Sequence, residues 1–471
     1  MELDPLLLSR IQFAFVVSFH ALFPVFTIGL AAYIATLEGL LYRTDNPVYA
    51  RLSRFWTRVF AVVFGMGVVS GIVMAFQFGS NWSEFSYRSA NFLGPVLSYE
   101  VVTAFFLEAT FLGVLLFGRD KVPRGVHLFA ACMVALGTFI SSFWILSANS
   151  WMQTPAGVEM RDGLLYVTSW TEAIFNASLW PRFFHMALAS FLTAGFVVAG
   201  VSAWYLLRRR APEMNRKALG MTVALLAVIA PAQLVVGDWH GLNTFENQPA
   251  KVAAMEGAWE TKNGAPLLLF AIPDAAGETN HLEVGIPNLA SLILTHELDG
   301  EVRGLKEWAP ADRPPVGIVF WSFRVMVAIG VLMIVVAITG LIQRLRGRLF
   351  DSPRLLRVFT WMIPLPFAAV LAGWFVTDIG RQPYLIYGVL RTADGVTPSL
   401  TGGMALFSLV GFIAVYAVIF TAGLYYLLRL IQAGPESLED TPDAADGRPK
   451  RPFSAVDTRL DEHAAPEGAR G

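Results

Sequence analysis

Thiols and charge are what this chain of 471 residues has least of. Its one cysteine, Cys132, lies in an apolar run, which excludes a disulfide framework, a thiolate zinc site and an iron–sulfur cluster held by this chain alone. Any metal would have to be held by His, Met or carboxylate. Charged residues make up only 15% and the formal net charge is −1, so no basic field exists to attract nucleic acid. No Gly-rich phosphate loop follows a strand pattern, which argues against a nucleotide-driven machine. No internal repeat is visible, which weakens an inverted-repeat transporter. The opening residues, MELDPLLLSRIQ, lack the basic start and small-residue cleavage site of a signal peptide and read as the start of a retained first helix.

Apolar residues are there in excess: 55% of the chain, with a mean hydropathy of +0.54. That balance belongs in a bilayer. A hydrocarbon core of roughly 30 Å takes about 20 helical residues to cross. Runs long enough fall at 11–41, 55–78, 93–117, 126–149, 182–207, 217–237, 316–343, 356–377 and 403–430. The fold expected is an all-α polytopic membrane protein of about nine transmembrane helices. Arginine and lysine set its orientation. They crowd the loops after the first helix (Arg43, Arg51, Arg54, Arg58), the third (Arg119, Lys121, Arg124), the fifth (Arg208 to Arg210, Arg216, Lys217) and the seventh (Arg344, Arg346, Arg348, Arg354, Arg357). Those loops are therefore cytoplasmic, the N-terminus outside and the C-terminus inside. The organisation that follows is helices one to six over 1–237, an outer segment over 238–315, helices seven to nine over 316–432, and a polar, disordered cytoplasmic tail over 433–471.

Against this apolar background, ionisable and soft side chains at membrane depth are functional candidates. His185 enters near the outer boundary of the fifth helix, and Met326 lies roughly 15 Å inside the seventh. Together they could ligate a low-spin haem in the outer half. Either alone would read as a core histidine or a gap-filling methionine. Arg324 stands two positions before Met326, about 200° around a regular helix, so it could face a different group. His20 in the first helix could ligate a second iron with an open position for a small gas, or be a hydrogen-bonded interior histidine. Glu100 and Glu108 on the third helix are separated by about 12 Å and about 80°, the order a proton relay from the cytoplasm would need. Ser141, Ser142 and His127 on the fourth helix could partner them. Asp378 and Arg381 can pair across one helical turn, Arg381 could bind a haem propionate, and Trp374 could fill space between macrocycles. In the outer segment Lys251 and Glu256 could bond a quinol's oxygens, although QPAKVAAMEGAWET also reads as an amphipathic surface helix. A transmembrane haem reductase would need His pairs on shared helices, which this chain lacks. A proton-coupled transporter without haem stays open on these residues.

Taken in order, SRIQFAFVVSFH, FQFGSNWS, FFLEATFLG, WILSANSWMQTP, the His185 segment, GDWHGLNTFENQPAKVAAMEGAWET, FRVM and GWFVTDIGRQPY resemble subunit I of the cytochrome bd-type quinol oxidases over nearly the whole chain before the tail. The resemblance implies that His185 and Met326 are axial ligands of a low-spin haem b with Arg324 near it. It implies that His20 serves the high-spin pair, haem b and haem d, with Glu100 beside it, Glu108 on the cytoplasmic proton path, and Trp374 between haems. Lys251 and Glu256 match the quinol-binding pair. Asp378 stands where relatives carry a Glu iron ligand, one methylene longer. The outer segment lacks the long insertion of some members and is similar to the short-loop, cyanide-insensitive branch, in which a b-type haem can take the place of haem d. The implied activity is quinol oxidation at the outer face of the bacterial cytoplasmic (inner) membrane. Electrons pass through the low-spin haem to the pair, where O2 is reduced to water with cytoplasmic protons, and a gradient forms without pumping. The implied partners are a second membrane subunit (subunit II), a small single-helix subunit, membrane lipid, quinol and O2.

Overall fold

Each expected span is helical in the computed structural model, which describes residues 3–435, with the third span joined through a π-helix and the eighth in two pieces. The helices are α1 (Pro5–Thr44), α2 (Pro47–Ser80), α3 (Ser83–Glu100), α4 (Phe106–Phe117), α5 (Arg124–Gln153), α6 (Trp170–Ile174) and α7 (Leu179–Leu207). They continue with α8 (Pro212–Asn247), α9 (Pro249–Glu256), α10 (Leu289–Thr295), α11 (Val316–Leu345), α12 (Pro353–Trp361), α13 (Leu365–Ile379) and α14 (Gly402–Ala433). Among the described residues nine helical stretches are long and apolar enough to cross a membrane, with α3–α4, α6–α7 and α12–α13 each counting as one. Local chemistry sets the starts: the Asp4 carboxylate accepts the Leu6 N–H and the Asn46 side chain that of Val48, each followed by a proline in the first helical turn.

Among the described residues, strands occur only in the connections. They are β1 (Val158–Arg161), β2 (Leu164–Val167), β3 (Lys262–Asn263), β4 (Leu267–Asp274), β5 (Thr279–Ile286), β6 (Glu301–Val302), β7 (Tyr384–Ile386) and β8 (Leu390–Arg391). They pair as two-stranded antiparallel ribbons, β1–β2, β3–β6, β4–β5 and β7–β8.

α7 is the central span: 78% of its most apolar window is buried, against 17–44% for the other eight. Small residues allow that packing. A Cβ on Gly29 of α1 would stand 2.3 Å from the Ser190 carbonyl oxygen of α7, so the two backbones meet where a side chain cannot fit.

α8 and the third span differ from the sequence expectation. α8 runs on to Asn247, ten residues beyond the predicted boundary, because the chain stays helical after its apolar run ends. Between α3 and α4, Val101–Phe105 is a π-helix. Its one surplus residue turns the expected offset of about 80° between Glu100 and Glu108 into about 20°, so both acids share a face. The predicted disordered tail lies, from 436 onward, outside the described residues.

Candidate functional site

α7, α8, α9, α11 and α13 enclose a cavity of about 890 Å³ with mostly apolar walls. That volume suits a sizeable organic ligand. Of the sequence-predicted residues, His185, Met326, Arg324, Trp374, Lys251 and Glu256 line it; His20, Glu100, Glu108, Asp378 and Arg381 do not.

His185 sits one helical turn past the Arg182 position on α7, and its imidazole faces Gly237 of α8: a Cβ there would stand 3.3 Å from the ring. The Gln233 amide lies 3.3 Å from each ring nitrogen and donates to the His185 carbonyl. His240, one turn beyond Gly237, brings its ring within 5.3 Å of His185. The Met326 thioether faces Gly373 of α13 in the same way, its sulfur 3.0 Å from where a Cβ would be. Both candidate ligands thus approach one cavity from different helices, and each is flanked by a residue without a side chain.

Arg324 lines the same cavity as that thioether, and its donors go to a different group, as the angular spacing allowed. Its Nη2 donates to Glu256 Oε2 at 2.9 Å, and its Nε donates to the Leu268 carbonyl of β4. Lys251 turns the other way: its Nζ donates to Gln153 Oε1 at 2.6 Å and to the Thr377 carbonyl at 3.0 Å. The surface-helix reading of this segment is wrong, since every residue from Ala250 to Glu256 is buried. Burial, then the Arg182 and Arg381 cations, pushes the Lys251 ammonium well below its usual range. Burial pushes the Glu256 carboxyl up, and Arg324 pulls it partly back.

Behind Lys251, Asp378 Oδ1 accepts from Asn149 at 3.2 Å and Gln153 at 3.4 Å and lies 3.5 Å from Arg381 Nη2, the pairing across one turn expected from the spacing. Arg182 and Arg381 are both buried, yet Arg182 Nε and Arg381 Nε and Nη1 have no partner, and neither has Arg324 Nη1 nor Trp374 Nε1. Buried guanidinium groups with idle donors call for an anion.

On the other side of α1, His20 Nδ1 lies 3.0 Å from Ser70 Oγ, which donates to the Gly67 carbonyl and so accepts from the ring. That leaves Nε2 as the nitrogen with a free lone pair. Gly71 lies against the ring, 3.2 Å from Cε1 to a notional Cβ. Glu100 accepts from Ser141 at 2.8 Å, and Glu108 packs against Gly137, one turn earlier on α5. Ser141 is the partner expected; His127 is not, because it pairs with Glu38.

These features fit haem: lone-pair nitrogens and a thioether backed by glycines, an apolar cavity, and unpaired arginine donors suited to carboxylate substituents. Gln233, His240, Arg182, Asn149 and Gln153 were missed in the sequence. Asn149 and Gln153 could have been found, since they stand four apart, on one helical face, inside the WILSANSWMQTP motif.

The family model for cytochrome bd terminal oxidase subunit I matches residues 8–435. The chain is 36% identical over 466 residues to cytochrome bd ubiquinol oxidase subunit 1 of Bacillus subtilis (strain 168), covering 96% of this chain and 98% of that one. It is 33% identical over 506 residues to cytochrome bd-II ubiquinol oxidase subunit 1 of Escherichia coli (strain K12), covering 93% and 98%. Its fold matches the solved bd oxidase structure from Geobacillus thermodenitrificans with a TM-score of 0.86 and 31% identity over 92% of this chain and all of that one.

Proposed function

The chain belongs to the cytochrome bd terminal oxidase subunit I family, and from that premise we propose that it is the haem-bearing subunit of a membrane oxidase that oxidises quinol and reduces O2 to water. The observation that carries this reading is the shared cavity: the thioether of Met326, the imidazole of His185 and the polar pair Lys251 and Glu256 line one space. His185 and Met326 would hold a low-spin haem b, and His20 a high-spin pair of haem b and either haem d or another b-type haem, with Asp378 on α13 as the second protein contact. Bound haem supplies one-electron chemistry and an open iron position for O2.

The chain's own residues handle the protons. Lys251, held by burial with little affinity for its third proton, and Glu256, held with more affinity than a surface carboxylate, flank the cavity as acceptors for quinol hydroxyls. Glu256 is also held to Arg324, so proton uptake there weakens an existing ion pair. Glu108 and Glu100, facing one stripe of α5, hold protons in the order needed to carry them from the cytoplasmic side. Arg381 and Arg182 supply the buried donors for haem carboxylates, and Trp374 packs at the cavity edge. Release of quinol protons outside and uptake from inside separates charge without a pump. The charge pattern of the loops supports an outer N-terminus, and the family supports a bacterial cytoplasmic membrane location with subunit II as partner. A small single-helix subunit completes the assembly in this reading.

A reduced-minus-oxidised spectrum of the purified complex, with quinol-driven O2 uptake and mass spectrometry of extracted haem, tests this. Haem bands with quinol-dependent uptake are expected. Colourless, correctly assembled complex would favour the haem-free transporter instead.

A further inference from the structure

The segment between α9 and α11 carries an apolar surface that the site does not use. In the β4–β5 hairpin, Leu267 and Leu269 line the cavity, while Leu268 and Ala271 pack on Phe320 of α11. Beyond these contacts, Phe270 and its cross-strand partner Val284 are exposed, as are Ile272 and Leu282, with Val284 at 59%. A contiguous apolar patch of this kind marks a contact surface.

Its position says what it contacts. Phe270 packs edge-on against Trp321 in the second turn of α11, with ring centroids 5.2 Å apart. The backbone of β4 reaches further still, because the Leu268 carbonyl accepts from Arg324, eight residues or about 12 Å along that apolar helix. The hairpin therefore lies alongside the end of a membrane-spanning helix. Its tip is polar. Asp274 accepts the N–H groups of Ala276 and Gly277, and Glu278 pairs with Arg313 at 2.6 Å. A two-stranded ribbon leaves one backbone edge of each strand unpaired, which the hydrocarbon core does not tolerate but the hydrated headgroup layer does. Charged tip, apolar flank and open edges together match the boundary between lipid headgroups and acyl chains.

We infer that the outward face of the β4–β5 hairpin is a lipid-contact surface, seated in the interfacial layer as the wall between membrane and cavity. If the cavity takes quinol, as proposed above, the substrate enters past this wall from the bilayer without crossing water. The lipid contact itself does not depend on that reading.

The test uses the assembled complex in lipid nanodiscs, in a Cys132→Ser background, with a nitroxide attached at Val284→Cys or, as control, at Ala275→Cys in the tip. At position 284 collisions with dissolved oxygen should exceed those with a water-soluble nickel chelate by several-fold more than at 275. Equal ratios at the two positions, or protection of 284 from both reagents by a covering protein, would overturn the inference. Haem bands measured on the same samples keep failure of the hairpin inference distinct from failure of the oxidase reading. A Leu282→Glu, Val284→Glu double variant gives a second readout: a KM raised several-fold for a long-tailed quinol delivered in the membrane, and unchanged for a short-tailed one. An unchanged KM for both would remove the wall from the entry route.

Discussion

Two groups of buried charge sit at opposite ends of the bundle, and only one is complete. At the end of α1, Glu38 accepts from Ser53 and Arg119 on one oxygen and lies 3.0 Å from His127 Nδ1 on the other, while His127 Nε2 is 3.1 Å from the Leu115 carbonyl. Both nitrogens of that imidazole, and both oxygens of that carboxylate, are matched. Around Asp378, by contrast, the buried Arg182 and Arg381 keep donors with no acceptor. A matched cluster ties α1, α2, α4 and α5 together and has nothing left to offer. An unmatched one has donors to offer an anionic group.

Substitutions should separate the two clusters. The largest effect falls at the cavity, where Met326→Leu removes the thioether: quinol oxidation should fall to background and the low-spin bands should shift to high spin. An unaltered spectrum would refute Met326 as a ligand. Next is Glu38→Ala, which strands Arg119 and His127 and should cost about 3–5 kcal/mol of stability, read as a lowered thermal midpoint, with the spectrum of surviving complex preserved. Loss of haem with no loss of stability would reverse the assignment of that cluster. Gly137→Ala places a Cβ 2.5 Å from the Glu108 Cγ; it should cost about 1–3 kcal/mol and slow turnover while leaving the haem bands unchanged. The smallest change, and the one with opposite sign, is Arg182→Met. Removing an unpaired buried donor should leave haem-free protein as stable as before or up to about 1–3 kcal/mol more so, while haem occupancy drops. Parallel melting of haem-loaded and haem-free protein checks it.

Hydropathy was enough to locate all nine spans, because the bilayer imposes length and apolarity on each. It could not see that α8 stays helical through Trp239 and His240 to Asn247, since polar residues interrupt the apolar run there even though several of them line the cavity. Spacing placed Asp378 beside Arg381 and left Arg324 free to face a different group from Met326; it could not name Glu256 as the arginine's partner, a contact 68 positions away in sequence. Ser141 was legible as a partner of Glu100. His127 was misread because Glu38, on another helix, competes for it. Regular helical geometry also misplaced Glu108, since five residues of π-helix carry no sequence mark.

That short π stretch, Val101–Phe105, has a lasting effect on the span that contains it. Rewound as regular α-helix with every residue kept, it would change the phase more than the length: the lower half would swing by about 100°, taking the carboxyl of Glu108 off the groove opened by Gly137 while Glu100 stayed beside Ser141. The alignment of the two acids is thus stored as a single unit of slack in the backbone, and two carboxylates can lose their common line without either being substituted.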